Sequence, residues 1–492
     1  MKHLIVLFDG TWNDLSMQFV TNVARFGIAL EDTDKTGNPQ VIEYVSGLGT
    51  NHGTDKLTGG ALGHGIDQKV TQGYTFLVNN YEPNDKIYIV GFSRGAYTAR
   101  SLTGMLAACG LLKRNSLDKI GAAYSVYRHG KQKARDQFKK QHESFGNVDV
   151  DLLACWDTVA SLGVPDRFES LPIDRWINEK YQFHANNNLC ANVKNAIHAI
   201  ALDEKREEFD IELMKQNPKA PGQKLIQTWF PGDHGCVGGG SWYKRGLSNI
   251  ALEWMIETTT KTLKLPLAFD PDRISDVGPK GTVFDDKKDP IIFFDNEVKP
   301  PYEKMDSGRK VPANAVFHAS VIERKSVLGD LYPLPTPVFN KLKRHGADKQ
   351  KTLRNTFLVI ADQENDTGRE IVAGQRYKVT IKDTQVWKDG DLDPCRVTGW
   401  HTTDLDESDT WYNPFDSIKK TIVRIGESAR ILSEKPWFSL VLKVGGDVQS
   451  ITDQTEYVTF DESGRLWACA NDMRLAFGNN QGWLVVKLEK AD

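Results

Sequence analysis

The chain has 492 residues, 40% of them hydrophobic, and a formal net charge of −3. That balance excludes an intrinsically disordered chain and a globally basic nucleic-acid binder. The length allows about three domains, or one large enzyme domain and a module, and no apolar run reaches the roughly 18 to 20 residues of a membrane span.

Met1 to Asp9 carries a short apolar run that ends in an acid and lacks a small-residue cleavage site. It reads as a first buried strand, Leu4 to Phe8, rather than a secretory signal. The six cysteines have no metal-ligand spacing, and the expectation is cytosolic synthesis with reduced thiols. Asp9-Gly10-Thr11-Trp12-Asn13 follows the strand. There the Gly10 or Thr11 N–H can supply an oxyanion donor, or Asp9 and Asn13 can close a local turn. Gly59 to Gly65 is glycine-rich but lacks the Lys-Ser/Thr ending of a phosphate loop, and is expected to be a substrate-side loop before a helix.

Ile87 to Gly91 reads as a buried strand running into Gly91-Phe92-Ser93-Arg94-Gly95, a G-x-S-x-G match. Ala96, Ala99, Leu102, Met105, Leu106 and Cys109 then recur at helical spacing. Strand, tight turn and helix are the context of a nucleophile elbow, with Ser93 as nucleophile and the Arg94 N–H aimed at an oxyanion. The competing reading is a serine that caps the helix.

Residues 113–140 carry nine Lys/Arg against two acids, interleaved with Tyr124, Tyr127 and Phe138. This is a solvated helix face, or a surface attracted to anionic lipid headgroups. No base-stacking platform accompanies it, so nucleic acid is not an expected partner.

Val148 to Trp156 is an apolar strand ending at Asp157, on the edge where open α/β sheets build sites. Pro165 to Asn188 suits an inserted lid, and Ala191 to Leu202 reads as a helix containing His198. The strand Leu225 to Phe230 ends in a glycine-rich loop with His234, and a helix over Leu247 to Thr258 follows. A serine needs an imidazole to take its proton, and the imidazole needs a carboxylate on its other nitrogen. Ser93, Asp157 and His234 stand in the chain order nucleophile, acid, base. His198 and His318 are rival bases, Asp203 and Asp233 rival acids, and Cys236 lacks the cationic neighbour of a reactive thiol.

These segments together resemble the α/β-hydrolase catalytic domain of type VI secretion phospholipase effectors. The likeness is carried by residues 8–13, 91–100, Cys155-Trp-Asp-Thr-Val159, His198 to Glu204, Trp229 to Gly240 and Ser320 to Arg324. It implies the triad Ser93, Asp157 and His234 and a phospholipid acyl-ester substrate. It also implies export by a specialised secretion system, with an immunity or secretion-machinery protein as partner. One departure is Cys236, where the family usually has an acid.

Lys341 to Lys351 reads as a basic linker, after which short alternating strands recur, at 356–361, 377–381, 437–444, 457–460, 466–470 and 483–488. This is the pattern of a β-sandwich. Between the last two, Asn471 to Gly482 offers a carboxylate, two adjacent amides and a glycine, an oxygen set suited to Ca²⁺ or a polar turn. The segment resembles the calcium-dependent galactose-binding lectins of the PA-IL type. That likeness implies Asp472, Asn479 and Asn480 as side-chain ligands of Ca²⁺, main-chain carbonyls near Ala476 and Asp389, and a galactose-like glycan as partner.

The expected fold is an α/β-hydrolase-like, mostly parallel sheet with helices on both faces, plus a C-terminal β-sandwich. The expected domains are 1–345 (catalytic), 346–355 (linker) and 356–492 (lectin-like). The expected function is a serine esterase or lipase of phospholipase type. The alternatives are a non-catalytic glycan-binding protein on a hydrolase scaffold and a carboxylesterase for non-lipid esters.

Overall fold

The computed structural model describes residues 1–11, 13–47, 59–159, 187–274, 288–295, 297–299, 302–349, 351, 355–390, 392–401 and 427–492. The lid expected over 165–188 lies outside them, apart from Asn187 and Asn188. Two compact units emerge. The first is Met1–Lys288 with Asn296–Val321; the second is Asp289–Asp295 with Ile322–Asp492. The second unit thus takes up chain well before residue 346.

The first unit is built on β1 (His3–Phe8), β2 (Gln40–Val45), β3 (Lys86–Phe92), β4 (Leu152–Trp156), β5 (Asn195–Ala201), β6 (Lys224–Phe230) and β7 (Val316–Phe317). Among the described residues these form one sheet in the order β2-β1-β3-β4-β5-β6-β7, with every neighbour parallel. A parallel sheet is covered on both faces, and its inner strands are therefore mainly apolar; β1 and β4 are buried along their whole length.

Leu4, Val6 and Phe8 of β1 enter a core shared with α2 (Gly59–Asn80), α3 (Arg94–Cys109) and α4 (Ile120–His129). The alternate residue Leu7 instead abuts Gly27 of α1 (Asn22–Ala29). Helices therefore lie on both faces of the sheet. The chain runs from β1 out to β2 and returns to β3 on the other side of β1, the topological switch beside which such folds place ligands.

Two sequence expectations change here. Gly59 to Gly65, expected to be a loop, forms the start of α2. The helix is anchored by Ile66, Val70, Tyr74, Leu77 and Val78 in the core, and helix propagates from such a nucleus at low cost per residue. Ala191 to Leu202, expected to be a helix, instead supplies β5, paired on both edges. Alanine favours helix by only tenths of a kcal/mol per residue, and sheet packing overrides that.

The basic stretch forms α4 and α5 (Gln132–Gln141). Tyr127 and Phe138 are buried in the core and Tyr124 packs against it, so its aromatics face inward and its charges outward. Among the described residues, no helix is long and apolar enough to cross a membrane.

The second unit contains β8 (Thr356–Ile360), β9 (Asn365–Ile371), β10 (Arg376–Ile381), β11 (Trp387–Asp389), β12 (Leu440–Val444), β13 (Asp447–Ile451), β14 (Thr455–Thr459), β15 (Gly464–Ala470) and β16 (Asn480–Lys490). Among the described residues, one antiparallel sheet runs β11-β16-β10-β14, with β8 also on β16, and another runs β13-β12-β15-β9. Alternate residues of both sheets, such as Val359, Val379, Leu442 and Leu484, make one core.

The ribbon Asp289–Asp295 belongs to this unit. Trp483 donates its indole N–H to the Ile291 carbonyl at 2.5 Å, and Gln385 donates to Asp289 at 2.6 Å. Arg324 donates to the carbonyls of Pro290 and Ile292 at 2.8 and 2.7 Å, and the buried Lys388 pairs with Asp295.

Candidate active site

Ser93 sits at the turn from β3 into α3 with φ 59° and ψ −128°, a left-handed conformation that L-residues seldom adopt. Its neighbours explain the flanking glycines. A Cβ on Gly91 would meet the Gly95 carbonyl oxygen at 2.6 Å, and one on Gly95 would meet the Phe8 and Asp9 oxygens at 2.3 and 2.4 Å. The Ser93 hydroxyl makes no cap bond to α3. It lies instead 2.8 Å from Nε2 of His234, which excludes the capping reading.

His234 opens the short helix α6 (His234–Gly238) just past β6, and its Nδ1 is 2.6 Å from Oδ2 of Asp157, just past β4. With the proton on Nδ1 donated to the carboxylate, Nε2 is left to accept the serine proton. The imidazole is flanked by the Phe92 ring at 4.5 Å and the Phe209 ring at 4.9 Å. Phe92 has room only because residue 238 is glycine, where a Cβ would come within 2.0 Å of the ring. Burial pushes the imidazole below the ordinary histidine range, partly offset by its hydrogen bond to Asp157.

Asp157 is fully buried and accepts four hydrogen bonds. Besides His234, the donors are the Ala201 N–H at 2.8 Å and both terminal nitrogens of Arg309, at 2.6 and 2.8 Å. Burial works to raise this carboxyl, but the Arg309 charge and the donors outweigh it and hold it below the usual carboxylate range. Sequence reasoning missed Arg309, and also Phe209.

The rival groups have other work. His198 is a buried strand residue whose Nε2 accepts from the Thr158 N–H at 3.1 Å; burial pulls it down to about 4. His318 stacks on Phe230 at 4.8 Å and bonds Ser320 at 2.9 Å. Asp203 accepts from the Gly232 N–H at 2.6 Å. Asp233 caps α6 and pairs with Lys244 at 2.6 Å. Burial pushes the Cys236 thiol well up, away from the reactive thiolate.

Of the oxyanion candidates, Arg94 begins α3, where first-turn N–H groups lack helical partners. The Gly10 N–H is spent on Asp9 Oδ1 at 2.7 Å, which corrects its candidacy as a donor. Asp9 is held in turn by Tyr44 at 2.6 Å and Thr21 at 2.8 Å. The Thr11 hydroxyl is buried without a hydrogen-bond partner.

In the second unit, Asn479 donates to Asp389 at 2.8 Å and Asn480 donates to Asp472 at 3.0 Å. The Ala476 carbonyl accepts from the Asn479 N–H at 3.2 Å. Burial, followed by the charge of Asp472, pushes the Asp389 carboxyl up to about 6, and burial also raises Asp472. The Asn480 Oδ1 is buried with no partner. Among the described residues no three His, Cys, Asp or Glu side chains converge as a metal set, so the carboxylates here are a pair supplemented by amides.

A family model described as "T6SS, Phospholipase effector Tle1-like, catalytic domain" matches residues 2–258. The chain belongs to the Tle1-like phospholipase effector family. That match takes in Ser93, Asp157 and His234, but not Arg309.

Like the Tle1-like domain, an uncharacterized protein of Saccharomyces cerevisiae (strain ATCC 204508 / S288c), YEL023C, is similar in sequence. It is 26% identical over 233 residues, 42% of this chain and 32% of that protein. The chain therefore spans about a third of this relative's length. Three solved structures are also similar. An uncharacterized protein from Pseudomonas aeruginosa shares 17% identity over 56% of this chain and 47% of its own, with a TM-score of 0.34. The Tle1 effector bound to the VgrG spike from the type 6 secretion system shares 19% over 48% and 51%, at 0.28. The metagenomic carboxyl esterase MGS0156 shares 12% over 53% and 75%, at 0.28.

Proposed function

We propose that the chain is a serine hydrolase that cleaves acyl esters of phospholipids through Ser93, His234 and Asp157. The observation that carries this reading is the unbroken hydrogen-bond chain from hydroxyl to imidazole to carboxylate, at a strained turn on the carboxyl edge of a parallel sheet. His234 takes the Ser93 proton as Oγ attacks the ester carbonyl, then returns it to the departing alcohol oxygen. Asp157 holds the tautomer that makes this possible. The Arg94 N–H, with Thr11, is the proposed oxyanion donor set. Water then releases the acyl group by the same proton relay.

Family membership supports a phospholipid substrate and export by a type VI secretion system, with secretion-machinery and immunity proteins as partners. The test is fatty-acid release from phospholipid vesicles beside hydrolysis of p-nitrophenyl butyrate. Release from the soluble ester alone would favour a carboxylesterase, and no turnover of either would defeat the reading.

The pH profile adds a sharper expectation. Only neutral imidazole accepts the serine proton, and burial lowers the His234 pKa. The kcat/KM for p-nitrophenyl butyrate should therefore fall on acidification with a midpoint below about 6.5. A midpoint above that value counts against His234 as the base.

For the second unit we propose a Ca²⁺ site that recruits a galactose-like glycan. The orphaned Asn480 oxygen and two carboxylates raised by burial, Asp389 further by the charge of Asp472, fit a hard cation. Asp472, Asn479 and Asn480 would hold it, with Asp389 and the Ala476 carbonyl. The ion would supply charge neutralisation and open positions for sugar hydroxyls. At a hundredfold excess over Kd, Ca²⁺ should stabilise this unit by about 2.7 kcal/mol. Thermal melts with Ca²⁺ and with EDTA check this, and Asp472→Ala should remove the difference. A protein that binds a galactose matrix yet turns over no ester would support the non-catalytic glycan-binding alternative.

A further inference from the structure

Arg309 is attached to the acid of the proposed triad more firmly than a packing role requires. Its guanidinium faces Asp157 as a fork, one terminal nitrogen per carboxylate oxygen, with both side chains fully buried. The same two nitrogens donate to the carbonyls of Ala201, at 2.7 Å, and Phe209. Ala201 is also the backbone donor to Asp157, and Phe209 is the residue whose ring covers His234. One guanidinium therefore locks the carboxylate, its backbone donor and one wall of the imidazole slot.

The fork changes what Asp157 offers His234. A lone buried carboxylate would draw a proton onto the imidazole as its counter-ion. A carboxylate already paired with a guanidinium is closer to neutral as a unit, so it orients the imidazole with less pull towards the charged form. The other charged groups facing His234 are Glu204, which accepts from its backbone N–H at 3.2 Å, and Arg206, paired with Glu204 at 2.7 Å. The adjacent Asp233 is paired with Lys244. Each is thus already matched with an opposite charge, and the Asp157–Arg309 pair contacts the imidazole itself.

We propose that Arg309 is a positioning residue that fixes the orientation of Asp157 and thereby sets the base strength of His234. This rests on the hydrolase reading above.

Arg309→Met and Arg309→Lys separate the roles of charge and fork. Arg309→Met should lower kcat about 100-fold with KM within about twofold of wild type. Its acid-limb midpoint should rise by about one pH unit, because the repelling charge is gone. Arg309→Lys keeps the charge and loses the fork; it should lower kcat about tenfold and leave the midpoint in place. NMR titration of the His234 imidazole reads the same midpoint without any turnover. A wild type that neither hydrolyses esters nor reacts with a fluorophosphonate defeats the hydrolase reading alone, and the titration still decides the proposal. An unmoved midpoint in Arg309→Met, or wild-type kcat in Arg309→Lys, overturns it. Should Arg309→Met fail to fold, Arg309→Lys decides: lower kcat with an unmoved midpoint supports the proposal, and unchanged kcat defeats it.

Discussion

Replacing Ser93 with Ala is expected to lower ester turnover by about five to six orders of magnitude while leaving the fold intact. The hydroxyl is the group that faces His234 Nε2 at 2.8 Å, so its loss leaves the imidazole with a proton acceptor site and nothing to activate. A residual rate from the oxyanion donors and binding alone should persist above the uncatalysed one. The nearby thiol of Cys236 cannot take over, since burial keeps it protonated. Rates of p-nitrophenyl butyrate hydrolysis for the two proteins, beside their melting curves, check the expectation. A variant keeping more than about 1% of the activity would mean that another nucleophile acts.

Gly95→Ala should be strongly disruptive at the elbow itself, costing about 3 kcal/mol. The atoms its Cβ would strike are the Phe8 and Asp9 carbonyl oxygens. Backbone cannot rotate aside as a side chain can, so α3 and β1 must separate, and Ser93 moves with the helix. Gly121, inside α4, has nothing within 4 Å of an added Cβ. There, in the helix's first turn, the same substitution should stabilise by about 0.4 to 1 kcal/mol, because alanine gives the unfolded chain less conformational freedom to lose. Urea unfolding of both variants tests the contrast; equal midpoints would remove the argument for close approach at the elbow.

What could be read from sequence was whatever recurs with a short period or sits at a strand's end. The buried strands leading to Asp9, Ser93, Asp157 and His234 announce themselves as apolar runs, and each polar residue beyond them falls on the same sheet edge. His198 shows the limit, because Asn195 to Ala201 alternates small and branched residues in a way that suits helix and strand alike. Burial on both faces decided for strand. At Gly10 the sequence leaves an oxyanion donor and a local turn closed by Asp9 equally open, and the N–H takes the second, bonding its neighbour's own carboxylate through a rotamer that no pattern encodes. Arg309 left no trace: it stands in Asp306-Ser-Gly-Arg309-Lys310, an ordinary polar turn, 152 residues from Asp157. In the second unit, β9 and β13 escaped notice because Asn365-Asp-Thr-Gly-Arg-Glu and Asp447-Val-Gln-Ser are polar edge strands with few apolar residues to alternate.

The ribbon Asp289–Asp295 has a bearing on how this protein could be dissected or recombined. A fragment begun at the first C-terminal strand, or even at Ile322, would lack the acid that Lys388 pairs with and the acceptor for the Trp483 indole. It would have a buried ammonium with no counter-charge, and would be expected to precipitate rather than behave as a portable module. Any graft of this half onto another enzyme must bring that upstream ribbon along, so natural exchange of the module by a single crossover would be penalised at the level of folding.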